Sequence, residues 1–154
     1  MATIRPHFPG GPNFPTFEEP EVARFLVVPG SDAGFLLPGG DPPVGDLHIQ
    51  GLHAPGVVPG MPAVLFFRTQ YIAGTTFTVR LNASFEFQFR ADEARAQSWH
   101  EIIGPGVLRA QDNELVLAVD RDGQVVFSEI AILYTSNKLT VTKEIVIALD
   151  PTPD

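Results

Sequence analysis

The stretch that decides the fold is residues 76–90, which read TFTVRLNASFEFQFR. Every odd position in it is apolar, and every even position is polar. Side chains on a β-strand alternate between the two faces of the sheet, so this pattern places all the apolar groups on one side. The stretch therefore predicts strand, with one face on a core and one face in water. It is either one long bent strand or two strands that keep their phase through a bulge near Asn82.

Length and composition are those of a single folded domain. A chain of 154 residues can bury a core of its own without cross-links. The 14 glycines and 15 prolines indicate many turns, and the 12 phenylalanines argue against a disordered chain. Because the chain has no cysteine, a disulfide framework and a thiolate metal site are both excluded.

The charge balance disfavours two classes of partner. A formal net charge of -8 opposes binding to anionic membranes and to the phosphate backbone of nucleic acids, which requires clustered Lys and Arg. We therefore expect neither a nucleic-acid nor a membrane partner. No apolar run reaches the length of a signal peptide or a membrane span, so the expected location is the cytoplasm or a particle assembled there.

Prolines recur at near-regular spacing in residues 1–20, with Phe8, Phe14 and Phe17 between them. Proline fixes φ and favours an extended backbone, so these residues are predicted to form an extended arm rather than a helix. Three phenylalanines are more apolar surface than a free tail exposes to water. We therefore expect the arm to pack on its own domain or on a neighbouring subunit.

Residues 21–150 are predicted to form a single β domain, followed by a terminal coil at residues 151–154. Besides the opening stretch, runs typical of strands occur at residues 23–28, 35–37, 47–52, 63–71, 98–103, 114–119, 124–134 and 139–149. The Asp-Arg-Asp-Gly turn at residues 120–123 is expected to join two of them in a hairpin, and residues 91–97 favour helix. So many short strands predict an antiparallel β-sandwich of jelly-roll kind, with a closed barrel as the alternative.

No motif of an enzyme accompanies these strands. The sequence has no nucleophile elbow, no phosphate-binding loop and no dinucleotide fingerprint. His48 and His53 lie five residues apart, so on one extended strand they face opposite sides, and no third ligand is spaced to join them. We therefore expect no enzymatic activity, no cofactor and no bound metal.

The polar positions of residues 76–90 are the first candidate for binding. Amide and guanidinium groups offer the donors and acceptors that sugar hydroxyls require, and an indole ring offers a stacking surface. The candidate ligand-binding residues are Arg80, Asn82, Glu86, Gln88 and Trp99. An ordinary solvated sheet face is the alternative interpretation.

Strands that are apolar on both faces are the second candidate. The runs at residues 63–67, 115–119 and 130–133 contain no polar residue, and a two-layer sandwich covers only one face of each sheet. The arm or a neighbouring subunit can cover the other faces. The candidate interface residues are therefore Phe8, Phe14, Phe17, Val116 and Ala118.

These observations favour a non-enzymatic, self-associating sandwich that acts in assembly or ligand display, such as a structural component of a viral or phage particle. Its expected partner is another copy of the chain, in a homo-oligomer. The alternative function is a lectin-like carbohydrate-binding module that uses the polar face of residues 76–90, with a glycan or another protein as partner. The mass in solution and a glycan array distinguish the two functions.

Overall fold

The structure, a computed structural model, describes residues 21–138. The predicted arm at residues 1–20, the predicted strand at residues 139–149 and the terminal coil at residues 151–154 lie outside these described residues. All the regular secondary-structure elements between residues 21 and 138 are β-strands. This confirms the all-β class.

The strands alternate along the chain with turns rich in Gly and Pro. Within residues 21–138 the strands are β1 (Val22–Val27), β2 (Phe35–Leu37), β3 (Asp46–Leu52), β4 (Ala63–Tyr71), β5 (Thr76–Leu81), β6 (Phe85–Arg90), β7 (Arg95–Ile103), β8 (Asn113–Val119) and β9 (Val125–Ser136). The expected strands at residues 35–37 and 63–71 have the predicted bounds, and the other strands begin and end within a few residues of theirs.

Two antiparallel sheets pack face to face as a sandwich. The first sheet has the order β1-β9-β4-β7, and β2 pairs with β9 beyond the end of β1. The second sheet has the order β3-β8-β5-β6. Inward-facing residues of both sheets form one shared core. Of the two architectures expected from the sequence, the sandwich is the one that the described residues form.

Residues 76–90 form an antiparallel hairpin of β5 and β6. Their facing is confirmed, because the apolar positions of both strands point to the core and the polar ones point away from it. The interpretation as a bulged or bent strand is wrong. The chain reverses at Asn82 and Ala83, whose φ angles are 54° and 58°. Asn adopts this left-handed conformation more readily than most residues, and Leu81 opposite Phe85 keeps the two halves in phase.

Two other local expectations are wrong. Residues 91–97 contain no helix: the last three begin β7, which pairs with β4 along its whole length, so tertiary pairing overrides the local helix propensity. The turn at residues 120–123 is present, but β8 and β9 on either side of it belong to different sheets. Each of these strands already lies between two others, so neither has a free edge for the other.

A bulge in β9 sets which of its residues point inward. The register against β4 shifts there, and Glu129 has a φ of 52°. The buried positions of β9 are odd-numbered up to Phe127 and even-numbered from Ile130. The loop after β1 holds this geometry: the Glu129 N–H donates to the Ser31 carbonyl at 2.7 Å, and the Ile130 N–H donates to Ser31 Oγ at 3.1 Å.

Phe77 lies at the centre of the core and is fully buried. Its ring centroid is 5.4 Å from that of Phe127 in an edge-to-face arrangement, 6.5 Å from that of Phe67 and 5.7 Å from that of Phe89. Phe77 and Phe89 belong to the second sheet, whereas Phe67 and Phe127 belong to the first. Aromatic contacts of this geometry stabilise beyond the area they bury, so the cluster joins the two sheets.

Replacing Phe77 with Ala should lower the free energy of unfolding by about 3–5 kcal/mol, because it leaves a cavity between the sheets. Phe87→Ala should cost less, because Phe87 lies on the edge strand β6 and is only partly buried. Urea unfolding followed by the fluorescence of Trp99 measures both losses. Equal losses in the two variants would contradict the central place of Phe77.

Candidate functional site

The outer face of the second sheet carries three of the candidate ligand-binding residues. Two cross-strand rows form this surface, named here the polar face: Asp46-Ala118-Thr78-Gln88 and His48-Val116-Arg80-Glu86. Arg80, Glu86 and Gln88 therefore share one surface with the candidate interface residues Val116 and Ala118. The sequence had suggested two separate sites for these residues.

Polar side chains flank a small apolar centre on the polar face. Val116 and Ala118 are half-buried in the middle, and Val116 is not among the exposed large apolar residues of the described chain. Arg80 Nε lies 3.5 Å from Glu86 Oε1 on the adjacent strand, and both side chains are about half exposed. An exposed ion pair of this kind contributes little to stability, so these groups can exchange partners with a ligand at low cost.

His48 binds two carboxylates at the β3 side of the polar face. Its Nδ1 lies 2.9 Å from Glu114 Oε2, and its Nε2 lies 3.1 Å from Asp46 Oδ2. Carboxylates only accept, so the doubly protonated ring is the form that donates in both bonds. The hydrogen bond to Glu114, followed by that to Asp46, raises the pKa of His48. The same bond from His48, with a second from Gln50, lowers the pKa of Glu114.

Asn82 lies in the β5–β6 turn, and its side chain forms hydrogen bonds with other parts of the protein. Its Nδ2 donates to the Val107 carbonyl and to Asn113 Oδ1, each at 2.8 Å. Its Oδ1 accepts from the Glu114 N–H at 2.8 Å and from the Arg109 guanidinium at 3.2 Å. These bonds tie the turn to β8 and to the loop before it. The structure therefore gives Asn82 a structural role instead of the expected place beside Arg80.

Trp99 faces the space between the sheets. Its ring centroid lies 4.7 Å from that of Phe89 and stacks at 6.1 Å on Phe67, with an interplanar angle of 17°. Its Nε1–H donates to Thr69 Oγ1 at 2.8 Å. The indole is thus on the inner side of the sandwich, and the expectation that it provides a stacking surface next to Arg80 is corrected. Residues 98–103 alone do not show which side of β7 faces the core.

The outer face of the first sheet is apolar across four strands. Two adjacent cross-strand rows form it: Phe25-Leu133-Val64-Ile102 and Val27-Ala131-Phe66-His100. These eight residues are named here the apolar face. Only His100 among them has a polar side chain, and it lies at the β7 edge.

The apolar face is open to solvent. Phe25, Val27 and Ile102 have 60%, 62% and 64% of their surface exposed. Phe66 is partly covered by Phe25 and His100, whose ring centroids each lie 6.4 Å from its own. Single exposed apolar residues are ordinary on protein surfaces, but a contiguous group marks an interaction surface.

Sequence reasoning identified only part of the apolar face. Residues 63–67 were expected to be apolar on both sides, and Val64 and Phe66 supply the outward half. The contribution of β1 was missed, although its outward positions, from Ala23 to Val27, alternate with Arg24 and Leu26. The alternation argument applied to residues 76–90 would have turned Ala23, Phe25 and Val27 toward the core and Arg24 toward water, so it does not predict this facing.

A groove of about 380 Å³ adjoins the apolar face where β1 ends. Residues 27–32 and 129–131 line it, so Val27 and Ala131 belong to both the groove and the apolar face. The bulge of β9 forms one wall, and the turn that follows β1 forms the other. The surface therefore has a recess beside its flat part, shaped by backbone that the Ser31 hydrogen bonds hold in place.

Between residues 21 and 138, no group of three or more His, Cys, Asp or Glu side chains is arranged to hold a metal ion. Over the same span, no helix has the length and hydropathy of a membrane-crossing segment.

The His48 contacts predict a pH-dependent interaction. Its folded-state pKa is raised, so the stabilising contribution is complete below the ordinary value of 6.5 and is lost as the pH rises through the raised pKa. Glu114→Gln should move the pKa of His48 back toward 6.5, because it removes the stronger acceptor. An NMR titration of the His48 ring measures the shift, with Glu86→Gln as the control. An unchanged His48 pKa in Glu114→Gln would contradict the geometry.

Comparisons with known proteins give a similar fold and no family. No family model matches the sequence, and no curated protein matches it. The crystal structure of dimeric latent PorU from Porphyromonas gingivalis is similar over 82% of this chain, with a TM-score of 0.54 and 9% sequence identity. The chain covers 14% of the length of that protein. At this identity the similarity concerns the β-sandwich fold alone.

Proposed function

We propose that this protein is a non-enzymatic, self-associating β-sandwich that acts in assembly or ligand display. Its partner is another copy of the chain in a homo-oligomer, as in a structural component of a viral or phage particle. The observation that carries the proposal is the apolar face, whose two adjacent rows include three apolar side chains that are more than half exposed, those of Phe25, Val27 and Ile102.

Burial of the apolar face provides the driving force. Removing apolar surface from water contributes roughly 25 cal/mol per Å², and Phe25, Val27 and Ile102 each expose more than half of their surface. These side chains lie on both edge strands, so the exposed surface extends across the sheet. Charged residues lie beyond it: Arg68 forms an ion pair with Glu129 in the next row, with 3.7 Å between its Nη1 and Glu129 Oε2. Polar groups next to an apolar centre are typical of protein interfaces.

We further propose that the sandwich is of jelly-roll kind. With the short β2 set aside, the strands pair from the outside inward, as β1–β9, β3–β8, β4–β7 and β5–β6. This nested pairing is that of one long hairpin folded over on itself, which supports a jelly roll of two four-stranded sheets. Capsid and lectin domains both use this architecture, so it is compatible with assembly and with glycan binding and decides between neither.

Phe25→Lys combined with Ile102→Lys should convert the oligomer to a monomer, because each change places a charge on the apolar face. Both residues are exposed and lie on edge strands, where Lys is well tolerated, so the fold should remain. Leu36→Lys is the matched control, since Leu36 is 50% exposed on β2, at the edge of the same sheet but outside the apolar face. Analytical ultracentrifugation measures the masses. A monomeric parent at all concentrations would refute self-association.

Carbohydrate binding by the polar face is the second candidate function. The observation that favours it is the shared position of Arg80, Glu86 and Gln88 on adjacent strands, around half-buried Val116. Hydroxyl groups of a sugar can accept from the guanidinium and the amide, and can donate to the carboxylate. The half-buried apolar centre provides contact for the C–H groups of a sugar ring.

Arg80→Ala combined with Gln88→Ala should abolish binding to any glycan that the parent recognises on an array. Both side chains are exposed, so the free energy of unfolding should change by less than ~1 kcal/mol. Gln70→Ala combined with Arg95→Ala is the matched control, with the same residue types exposed on the first sheet. Parental glycan affinity in the polar-face variant, or no glycan binding by the parent, would eliminate this function.

A further inference from the structure

We infer that residues 1–20 of one copy cover the apolar face of a neighbouring copy. The inference rests on the proposed self-association and names the segment that makes the contact. It differs from the simpler arrangement in which two apolar faces pack directly on each other. It also differs from packing of residues 1–20 on their own domain.

The first strand of the described chain begins close to the apolar face. Val22, the first residue of β1, pairs with Ser136 at the end of β9. The next outward positions of β1 are Ala23, Phe25 and Val27, and the last two belong to the apolar face. The described chain therefore begins a few residues from the exposed surface, on every copy in an assembly.

Residues 1–20 are long enough and apolar enough to cover the apolar face. Residues 6–17 contain no Asp, Glu, Lys or Arg, and they include Phe8, Phe14 and Phe17 among four prolines. In extended, proline-rich conformation this stretch spans about 37 Å at about 3.1 Å per residue. The apolar face is four strands wide, or about 14 Å at about 4.8 Å per spacing. Prolines also reduce the conformational entropy that the segment loses on binding.

The groove beside the apolar face gives such a segment a place for a bulky side chain. The groove has a volume of about 380 Å³, and Val27 and Ala131 are among the residues that line it. A segment with phenylalanines several residues apart can set one ring in the groove and others against the flat rows. Two flat faces packed directly on each other would leave this groove unfilled.

The residues between Phe17 and β1 favour a neighbouring copy over the same copy. To lie on its own apolar face, the chain must reverse direction within residues 18–21, which read Glu-Glu-Pro-Glu. A proline disfavours the α region for the residue before it, so a turn with Glu19 and Pro20 at its centre is disfavoured. A reversal would also bring three carboxylates against Phe25. The same phenylalanines can reach the apolar face of a neighbouring copy while these carboxylates stay in water.

Complementation between two full-length variants tests the inference. The first variant carries Phe8→Ser, Phe14→Ser and Phe17→Ser and keeps its apolar face. The second carries Phe25→Lys and Ile102→Lys and keeps its residues 1–20. Each variant alone should be monomeric by analytical ultracentrifugation, because each lacks one side of the contact. An equimolar mixture should form a species with the mass of two chains, since the intact segment of the second variant binds the intact face of the first.

Asn13→Ala combined with Thr16→Ala is the control within the same segment and should leave the parental association unchanged. If the triple Ser variant still forms the parental oligomer, the faces pack directly or residues 139–154 cover them, and the inference is overturned while self-association stands. If the mixture stays monomeric and the triple Ser variant has a lower melting temperature, residues 1–20 pack on their own domain, which also overturns it. A monomeric parent would refute the proposed function itself.

Discussion

The contact between Phe77 and Phe127 is the interaction on which the sandwich depends. Phe77 lies in the middle of the second sheet and Phe127 in the middle of the first, and their rings meet edge to face at the centre of the core. Phe67 and Trp99 of the first sheet extend the cluster against Phe77. A sandwich buries one face of each sheet. The core therefore accounts for the inner faces only, and the two outer faces need a separate explanation.

The two outer faces differ in chemistry, and this difference separates the candidate functions. On the second sheet, half-buried Val116 lies between His48 and Arg80, so long polar side chains already shield its apolar surface. On the first sheet, Phe25 and Ile102 stand exposed at opposite edges with apolar side chains between them. The first arrangement is stable in water and suits a polar ligand. The second leaves apolar area that association would bury, which is why we propose assembly ahead of glycan binding.

The alternation of side chains within a strand could be predicted from the sequence. Which strands pair with one another could not. The facing of residues 76–90 and the existence of most strands follow from local pattern, because a buried face imposes a period of two. The turn at residues 120–123 is also local, but the sheets of β8 and β9 depend on which other strands pair with them. For the same reason the polar face was predicted only in part: Arg80 was found, whereas its neighbour His48 comes from a distant segment. The side of the sheet on which Trp99 lies was predicted wrongly, because the facing of β7 depends on its pairing with β4.

The composition of the apolar face depends on the bulge in β9. Before the bulge the odd-numbered residues of β9 point inward, and after Glu129 the even-numbered residues do. If the same residues ran through Glu129 in regular alternation, without a bulge, Leu133 would enter the core and Ile132 would take its place outside. Glu129, Ala131 and Thr135 would then also point inward, in place of the buried side chains of Ile130, Ile132 and Tyr134. The bulge is held by Ser31, in the turn that also lines the groove. One local distortion thus aligns the core, completes the apolar rows and shapes the recess beside them.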